Sequence, residues 1–341
     1  MGNGDNSHTR FRELDVLRGF AALAVVVYHY SRHGTRYFDD YPFVFLDGHY
    51  GVQLFFVISG FVIYFTLQRS RSLLDFVFSR FSRLYPAYWA AIAITLVYGL
   101  LVLHTQPWWP GYAANLTMLQ EFAGFGNLDA VFWTLGVELV FYAVMALAFS
   151  LGLLRQIVPL CMVWLLAAVI WSRVTHFDGA TFTSVQQSLL ILPSAPYFVA
   201  GIMFYLCSSR GVQRQFVGMI VFAWLTILIV AGFPDALVAA MIFGIVGLAI
   251  AGRLAFLVSS ATLWLGAISY PLYLTHRNLG YRLLFWFNGH HVPHLVALTL
   301  TVLAAFLLAW AVSVSVERPA MRALRAWYRK VRSPAVAAPP R

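Results

Sequence analysis

Two residues able to do chemistry, Arg18 and His29, stand eleven positions apart in a stretch that otherwise holds small and apolar side chains plus Tyr28. Eleven residues at about 100° each return two side chains to nearly the same azimuth after three helical turns, about 16 Å apart along the axis. Asp15, one turn before Arg18, joins that face. Ionisable groups on a membrane helix are costly unless they face protein or water, so the stripe predicts a polar path into a bilayer. An imidazole with a pKa of about 6.5 suits a general base at neutral pH. Arg18 is fit to steady a developing oxyanion or a phosphate, and Asp15 to orient it.

Four further groups have side chains of the right type. Arg80 and Arg83, in Arg80-Phe81-Ser82-Arg83-Leu84-Tyr85-Pro86, share one helix face, and their planar forks match phosphate oxygens; ordinary anchoring of a membrane helix is the plainer alternative. Tyr85-Pro86 reads as a helix entry. Glu138 lies about eight residues inside an apolar run, where it is a partner for an arginine, a proton handler or an acceptor ligand, with a purely structural ion pair as competitor. Tyr270 and Tyr273 are one turn apart, His276 follows a turn later, and Pro271 predicts a kink, so this helix can line a substrate cavity. His290, His291 and His294 form a small cluster without a nearby carboxylate or cysteine, and a solvated loop explains them better than a metal.

The elements that must hold these residues are membrane helices. The chain has 341 residues, 61% of them hydrophobic and only 11% charged, which excludes an ordinary soluble domain. About 20 apolar residues span a bilayer. Stretches near that length fall at 14–32, 49–68, 84–104, 130–150, 155–172, 188–207, 216–232, 235–251, 262–287 and 293–316, giving an all-α protein of about ten transmembrane helices. The pair 216–232 and 235–251 is separated only by a turn at Phe233, Pro234 and Asp235.

Arginine placement orients them, because positive residues concentrate in cytoplasmic loops. With both termini cytoplasmic, most arginines fall inside, and the long outer loop 105–129 has no Lys or Arg. The net charge of +10 then describes a basic rim against membrane lipid, and nothing in it suggests a nucleic-acid surface. Cys161 and Cys207 sit in apolar runs and read as small hydrophobes, and a basic start with no cleavage site before Arg32 predicts a retained first helix. Trp108, Trp109, Tyr112 and Phe122 in loop 105–129 suit an interface belt or a sugar-binding ledge. Residues 1–10 are expected to be mobile, 11–320 to form the membrane domain and 321–341 a basic, Pro-containing tail.

Leu14-Asp15-Val16-Leu17-Arg18-Gly19 with His29, Phe55-Phe56-Val57-Ile58-Ser59-Gly60-Phe61, Arg80-x-x-Arg83, Trp133 to Glu138 with Phe141-Tyr142, and Ser269-Tyr270-Pro271-x-Tyr273-x-x-His276 occur in this order. Together they resemble the acyltransferase-3 family of integral membrane acyltransferases, from about residue 12 to Glu317-Arg318-Pro319. The resemblance implies transfer of an acyl group, acetyl being expected, from cytoplasmic acyl-CoA to a hydroxyl of a sugar or polysaccharide, free or lipid-linked. It implies a bacterial cytoplasmic (inner) membrane protein, with acyl-CoA as donor and no metal. The family's arginine and histidine map onto Arg18 and His29, and its R-x-x-R pair onto Arg80 and Arg83. The expected roles are His29 as base, with a covalent acyl-histidine as the competing version, Arg18, Asp15 and Glu138 assisting, Arg80, Arg83 and Arg18 on the donor, and Tyr270, Tyr273 and His276 on the acceptor. A transporter or flippase with an Asp15, Arg18, His29 and Glu138 relay is the competing class.

Overall fold

The structure is a computed structural model describing residues 11–36, 44–174 and 191–332. Among these, every regular element is helical. In order they are α1 (Arg12–Gly34), α2 (Gly51–Arg69), α3 (Leu73–Leu101), the short α4 (Trp109–Asn115), α5 (Trp133–Ser150), α6 (Ile157–Val174), α7 (Ala195–Arg210), α8 (Arg214–Val230), α9 (Phe233–Ile250), α10 (Ser260–Gly289), α11 (His294–Val312) and α12 (Arg318–Arg332). A π-helical turn, Ser313–Glu317, joins the last two. Among the described residues, six stretches are long and apolar enough to cross a membrane: Leu46–Arg69, Leu73–Leu101, Ala130–Ser150, Leu153–Val174, Phe233–Ile250 and His294–Arg332. The expected tail end 333–341, the mobile start 1–10, positions 37–43 of the first outer loop and 188–190 of one expected span lie outside the described residues.

Three local expectations are corrected. Tyr85-Pro86 does not open a helix: α3 begins at Leu73, where the Ser72 hydroxyl accepts from the Asp75 amide at 3.2 Å, and Pro86 is buried in its interior. The helix tolerates the proline because only the bond to the Ser82 carbonyl is lost, while a favourable cap stands far upstream. The turn between α8 and α9 falls at Ala231 and Gly232, and Phe233-Pro234-Asp235 is the first turn of α9, since proline fits the first helical positions and Gly232 supplies φ +94°. Residues 318–332, expected in part to be tail, are helical, and the Tyr328 hydroxyl and Arg332 guanidinium dock on Asp75 at 2.9 and 2.8 Å.

The chain divides into two compact units. The described parts of Met1–Tyr28, Phe45–Phe65 and Leu154–Ser269 form the first. Small residues let its backbones touch. A methyl group on Gly60 of α2 would run into the Phe198 carbonyl of α7, and one on Gly201 of α7 into the Val57 carbonyl of α2. Gly19 of α1 meets Gly266 of α10 in the same way.

The described parts of His29–Val44, Thr66–Leu153 and Tyr270–Arg341 form the second unit. Its loop 105–129 folds back along α3: the Thr117 carbonyl accepts from the Tyr85 hydroxyl at 2.9 Å and the Leu116 carbonyl from the Trp89 indole at 3.0 Å. Tyr85 is 16 residues before the end of α3, so the loop descends about 24 Å beside it. Buried Asn115 closes the loop, donating to the Gly126 carbonyl at 3.0 Å and accepting from the Leu128 amide at 3.1 Å, as backbone away from water requires.

Gly60→Ala with Gly201→Ala should destabilise the first unit by about 1–3 kcal/mol, because carbonyl oxygens cannot yield as side chains do. Thermal unfolding in detergent measures it, with Gly218→Ala, which meets nothing within 4 Å, as the control expected to hold or raise Tm.

Candidate active site

α10 lines up the chemistry of the second unit. From Tyr270 through Tyr273 to His276 it presents one polar side chain per turn, over about 9 Å of helix.

His276 is fully buried. Its Nδ1 faces two carbonyls of its own helix, Leu272 at 3.1 Å and Tyr273 at 2.9 Å, and its Nε2 lies 3.1 Å from Nδ1 of His29. Carbonyl oxygens only accept, so Nδ1 of His276 carries the proton and Nε2 of the neutral ring is an acceptor. Nδ1 of His29 therefore donates, and the hydrogen-bond network assigns the lone pair of the neutral His29 ring to Nε2. The pair thus fixes the tautomer of His29.

Neighbours lock the pair. The Tyr30 hydroxyl donates to the His276 carbonyl at 2.7 Å, and the Tyr30 ring occupies the space where any side chain on Gly280 would stand. Tyr273 and Thr134 hydroxyls bond at 2.9 Å. Just past His276, Asp129 accepts from the Val131 and Asn278 amides, both at 3.2 Å, and pairs with Arg277 at 3.4 Å. Burial pushes the Asp129 carboxyl above its ordinary pKa, opposed by those amides and by Arg277.

At the other end of the ladder stand the arginines. Arg83 forms an ion pair with buried Glu317, the last residue of the π-turn, which also accepts from the Ser313 hydroxyl at 3.0 Å. Its guanidinium lies 5.5 Å from the Tyr270 ring centre, and the Tyr270 hydroxyl donates to the Leu84 carbonyl at 3.0 Å. Arg80 bonds Ser79 at 3.1 Å, but its Nε is buried with no hydrogen-bond partner among the described residues. Arg325 of α12 lies 3.5 Å from the Ser82 hydroxyl. Glu138 accepts from the Tyr142 hydroxyl, and Tyr142 is within electrostatic range of Arg80.

A family model described as an acyltransferase domain matches residues 11–317. The chain belongs to the acyltransferase-3 family. Among curated relatives, the exopolysaccharide production protein ExoZ of Rhizobium meliloti (strain 1021) is 31% identical over 176 residues, covering 47% of this chain and 50% of the relative. Acyltransferase MdmB of Streptomyces mycarofaciens is 27% identical over 237 residues, 60% of this chain and 59% of its own. Nodulation protein 10 of Rhizobium leguminosarum bv. viciae is 26% identical over 219 residues, 58% and 59%. The chain thus spans about half to three fifths of these relatives. No solved structure matches.

Within this family member, the second unit holds His29, Arg80, Arg83, Glu138, Tyr270, Tyr273 and His276, in two groups joined by α10, while Asp15 and Arg18 belong to the first unit. Both of the latter are half-buried on α1. Among the described residues no group of three His, Cys, Asp or Glu is placed to hold a metal.

Sequence reading missed Asp129, Tyr30 and a basic cluster of Arg32, Arg36, Arg277 and Arg282, which line one cavity with His33 and Tyr281. The signal was present: Arg277 and Arg282 fall inside the apolar run 262–287, where charge is expensive. His33, beyond the expected span 14–32, stacks on Tyr281 at 3.5 Å, and its pKa drops from 6.5 to about 4 through burial, then through Arg36 and Arg277.

As pH falls from 6.5 to about 4, the unfolded chain takes up a proton that folded His33 refuses, so its contribution lowers stability across that window. His33→Gln should flatten that part of the decline in Tm with falling pH. An unchanged slope would contradict this environment for His33.

Proposed function

We propose that this protein is a bacterial inner-membrane O-acyltransferase of about ten spans, with both termini cytoplasmic, moving an acetyl group from acyl-CoA to a sugar hydroxyl. The carrying observation is the bond between His276 Nε2 and His29 Nδ1, 3.1 Å long, in a chain of this family. The printed names of the relatives, exopolysaccharide production and acyltransferase, favour this substrate class. The bias of arginines to one side supports the orientation.

In the proposed reaction the acceptor hydroxyl gives its proton to His29 Nε2 as its oxygen attacks the thioester carbonyl. The tetrahedral centre collapses, the C–S bond breaks, and the imidazolium returns the proton to the departing thiolate. An ester and free CoA result, and the histidine pair is restored. His276 positions His29 by accepting its Nδ1–H. Tyr273 belongs to the acceptor side of the same α10 ladder, while Tyr270 stands at its arginine end.

Arg80 is the donor-side residue with donors to spare, and its orphaned Nε suits a phosphate oxygen. Arg83, satisfied by Glu317, acts by fixing the α3 end of that site. Arg18 and His29 ride on one continuous helix, α1, about 16 Å apart, a length suited to a pantetheine arm lying along it. Arg18 positions the CoA along that helix and Asp15 orients it. Glu138 serves the arginine end through Tyr142, which lies within electrostatic range of Arg80. The membrane domain of 11–320 carries these groups, and a basic segment follows from 321.

His29→Ala should cut acetyl transfer by about 10²–10⁴ with CoA binding retained. His276→Asn should move the pH–rate profile as well as the rate, because it changes the proton affinity of His29, whereas a merely structural loss would lower the rate at every pH alike. Wild-type transfer by His29→Ala would end the mechanism. Arg80→Ala should weaken CoA binding, measured calorimetrically, about ten- to a hundredfold, the usual worth of a charge-assisted contact. Unchanged affinity would return Arg80 to membrane anchoring.

A further inference from the structure

Arg318, Arg322, Arg325, Arg329 and Arg332 follow one another in α12 at spacings of four, three, four and three residues, so they fall on one narrow stripe of the helix. Trp327 and Val331, both exposed and apolar, fall on the opposite face. The helix runs back along α3. Its Arg332 guanidinium and Tyr328 hydroxyl hold Asp75, the Tyr328 ring stacks on Phe78 with centres 4.2 Å apart, and the Arg325 Nε lies 3.5 Å from the Ser82 hydroxyl. Arg325 is thus the stripe member set beside the turn of α3 that carries Arg80 and Arg83, within electrostatic range of Arg80 and Arg329.

The carboxylates in this part of the second unit are already engaged. Glu317 pairs with Arg83, Asp75 pairs with Arg332, and Glu138 accepts from the Tyr142 hydroxyl. Among the described residues neither Arg80 nor Arg325 joins an ion pair, and the Nε of Arg80 is buried with no hydrogen-bond partner. A contact of 3.5 Å with a neutral hydroxyl is at the outer limit of a hydrogen bond, so most of the donors of Arg325 stay uncommitted. Two like charges held near each other raise each other's energy, and an anion between them lowers it.

The donor brings more charge than one arginine matches. CoA carries a pyrophosphate and a ribose phosphate at its nucleotide end, and with Arg83 neutralised by Glu317 the α3 pair leaves Arg80 alone to meet them. Arg325 adds a second planar fork of the kind that suits phosphate oxygens. The direction of the stripe separates this ligand from bulk lipid. The face with Trp327 and Val331 is the side of α12 suited to hydrocarbon, whereas Arg325 is turned to α3.

We infer that Arg325 of α12 is a donor-binding residue that closes with Arg80 on the nucleotide phosphates of the acyl-CoA, so that the site draws on a helix beyond residue 317, where the match to the acyltransferase domain ends. This deepens the acyltransferase reading and rests on it.

The test uses the full chain in nanodiscs of phosphatidylcholine, with and without phosphatidylglycerol. CoA affinity is measured calorimetrically, and transfer is compared between acetyl-CoA and S-acetylpantetheine, which keeps the thioester arm and lacks every phosphate. Because Arg325 is exposed, Arg325→Gln leaves packing intact. It should weaken CoA binding about tenfold, the usual worth of one charge-assisted contact, and lower kcat/KM for acetyl-CoA by a similar factor while leaving S-acetylpantetheine unchanged. Arg325→Lys should recover part of the loss, since it restores the charge without the fork. Lys330→Gln, exposed and off the stripe, should bind CoA as the wild type does.

Unchanged CoA affinity in Arg325→Gln would overturn the proposal and leave the acyltransferase reading standing. An equal fall in transfer from both thioesters would overturn it by making the residue merely structural. A loss of CoA affinity confined to nanodiscs with phosphatidylglycerol would overturn it by assigning Arg325 to lipid headgroups. Weaker CoA binding in Arg325→Gln, with no acyl transfer by the wild type to any acceptor, would support the site and remove the acyltransferase reading.

Discussion

One imidazole cannot turn. His276 is buried and its Nδ1 is bound to two carbonyls of the helix that carries it, so rotation of the ring would strand a proton and two acceptors away from water. Its remaining nitrogen is therefore a fixed acceptor. The tautomer of His29 follows from that, and so does the need for α1 to come close, which a glycine at 280 permits by leaving room for the Tyr30 ring. The re-entrant loop serves the same end, because it delivers Asp129 to the Asn278 amide and ties down the turn of α10 after the imidazole.

Arginines sort themselves by what already holds them. Arg83 has a buried carboxylate, and breaking such a pair leaves a charge stranded, so its work is to keep α3 against the π-turn. Arg277 has a carboxylate too, at longer reach, and also lies 5.0 Å from the Tyr281 ring centre. Arg80 differs from both, because its buried Nε has no hydrogen-bond partner among the described residues. Equal charge at the level of composition thus conceals unequal chemistry.

Much of this was legible in the chain. Apolar run lengths located many of the helices, and the spacing of Tyr270, Tyr273 and His276 picked out a face of α10 that carries polar groups. What stayed hidden was pairing over distance. Glu317 lies 234 residues from Arg83, and no local pattern says that this carboxylate rather than Glu138 takes that guanidinium. The start of α3 was obscured by Pro86, whose local signal was outweighed by the Ser72 cap. The loop 105–129 looked like an ordinary connection because its descent along α3 depends on single hydrogen bonds to Tyr85 and Trp89, which have no sequence period. Arg32, Arg36, Arg277 and Arg282 were each visible, but scattered over 250 positions they gave no hint of a common cavity.

The long reach between the two histidines also sets a schedule. Their bond joins positions 247 residues apart, so a ribosome adding about 5–20 residues per second finishes His29 some 12–50 s before its companion exists. During that interval α1 is already made, with its ionisable stripe and no α10 to cover it. A delay between residues 34 and 260 would lengthen the exposure of the α1 residues that α10 later meets and invite their degradation before the protein is complete.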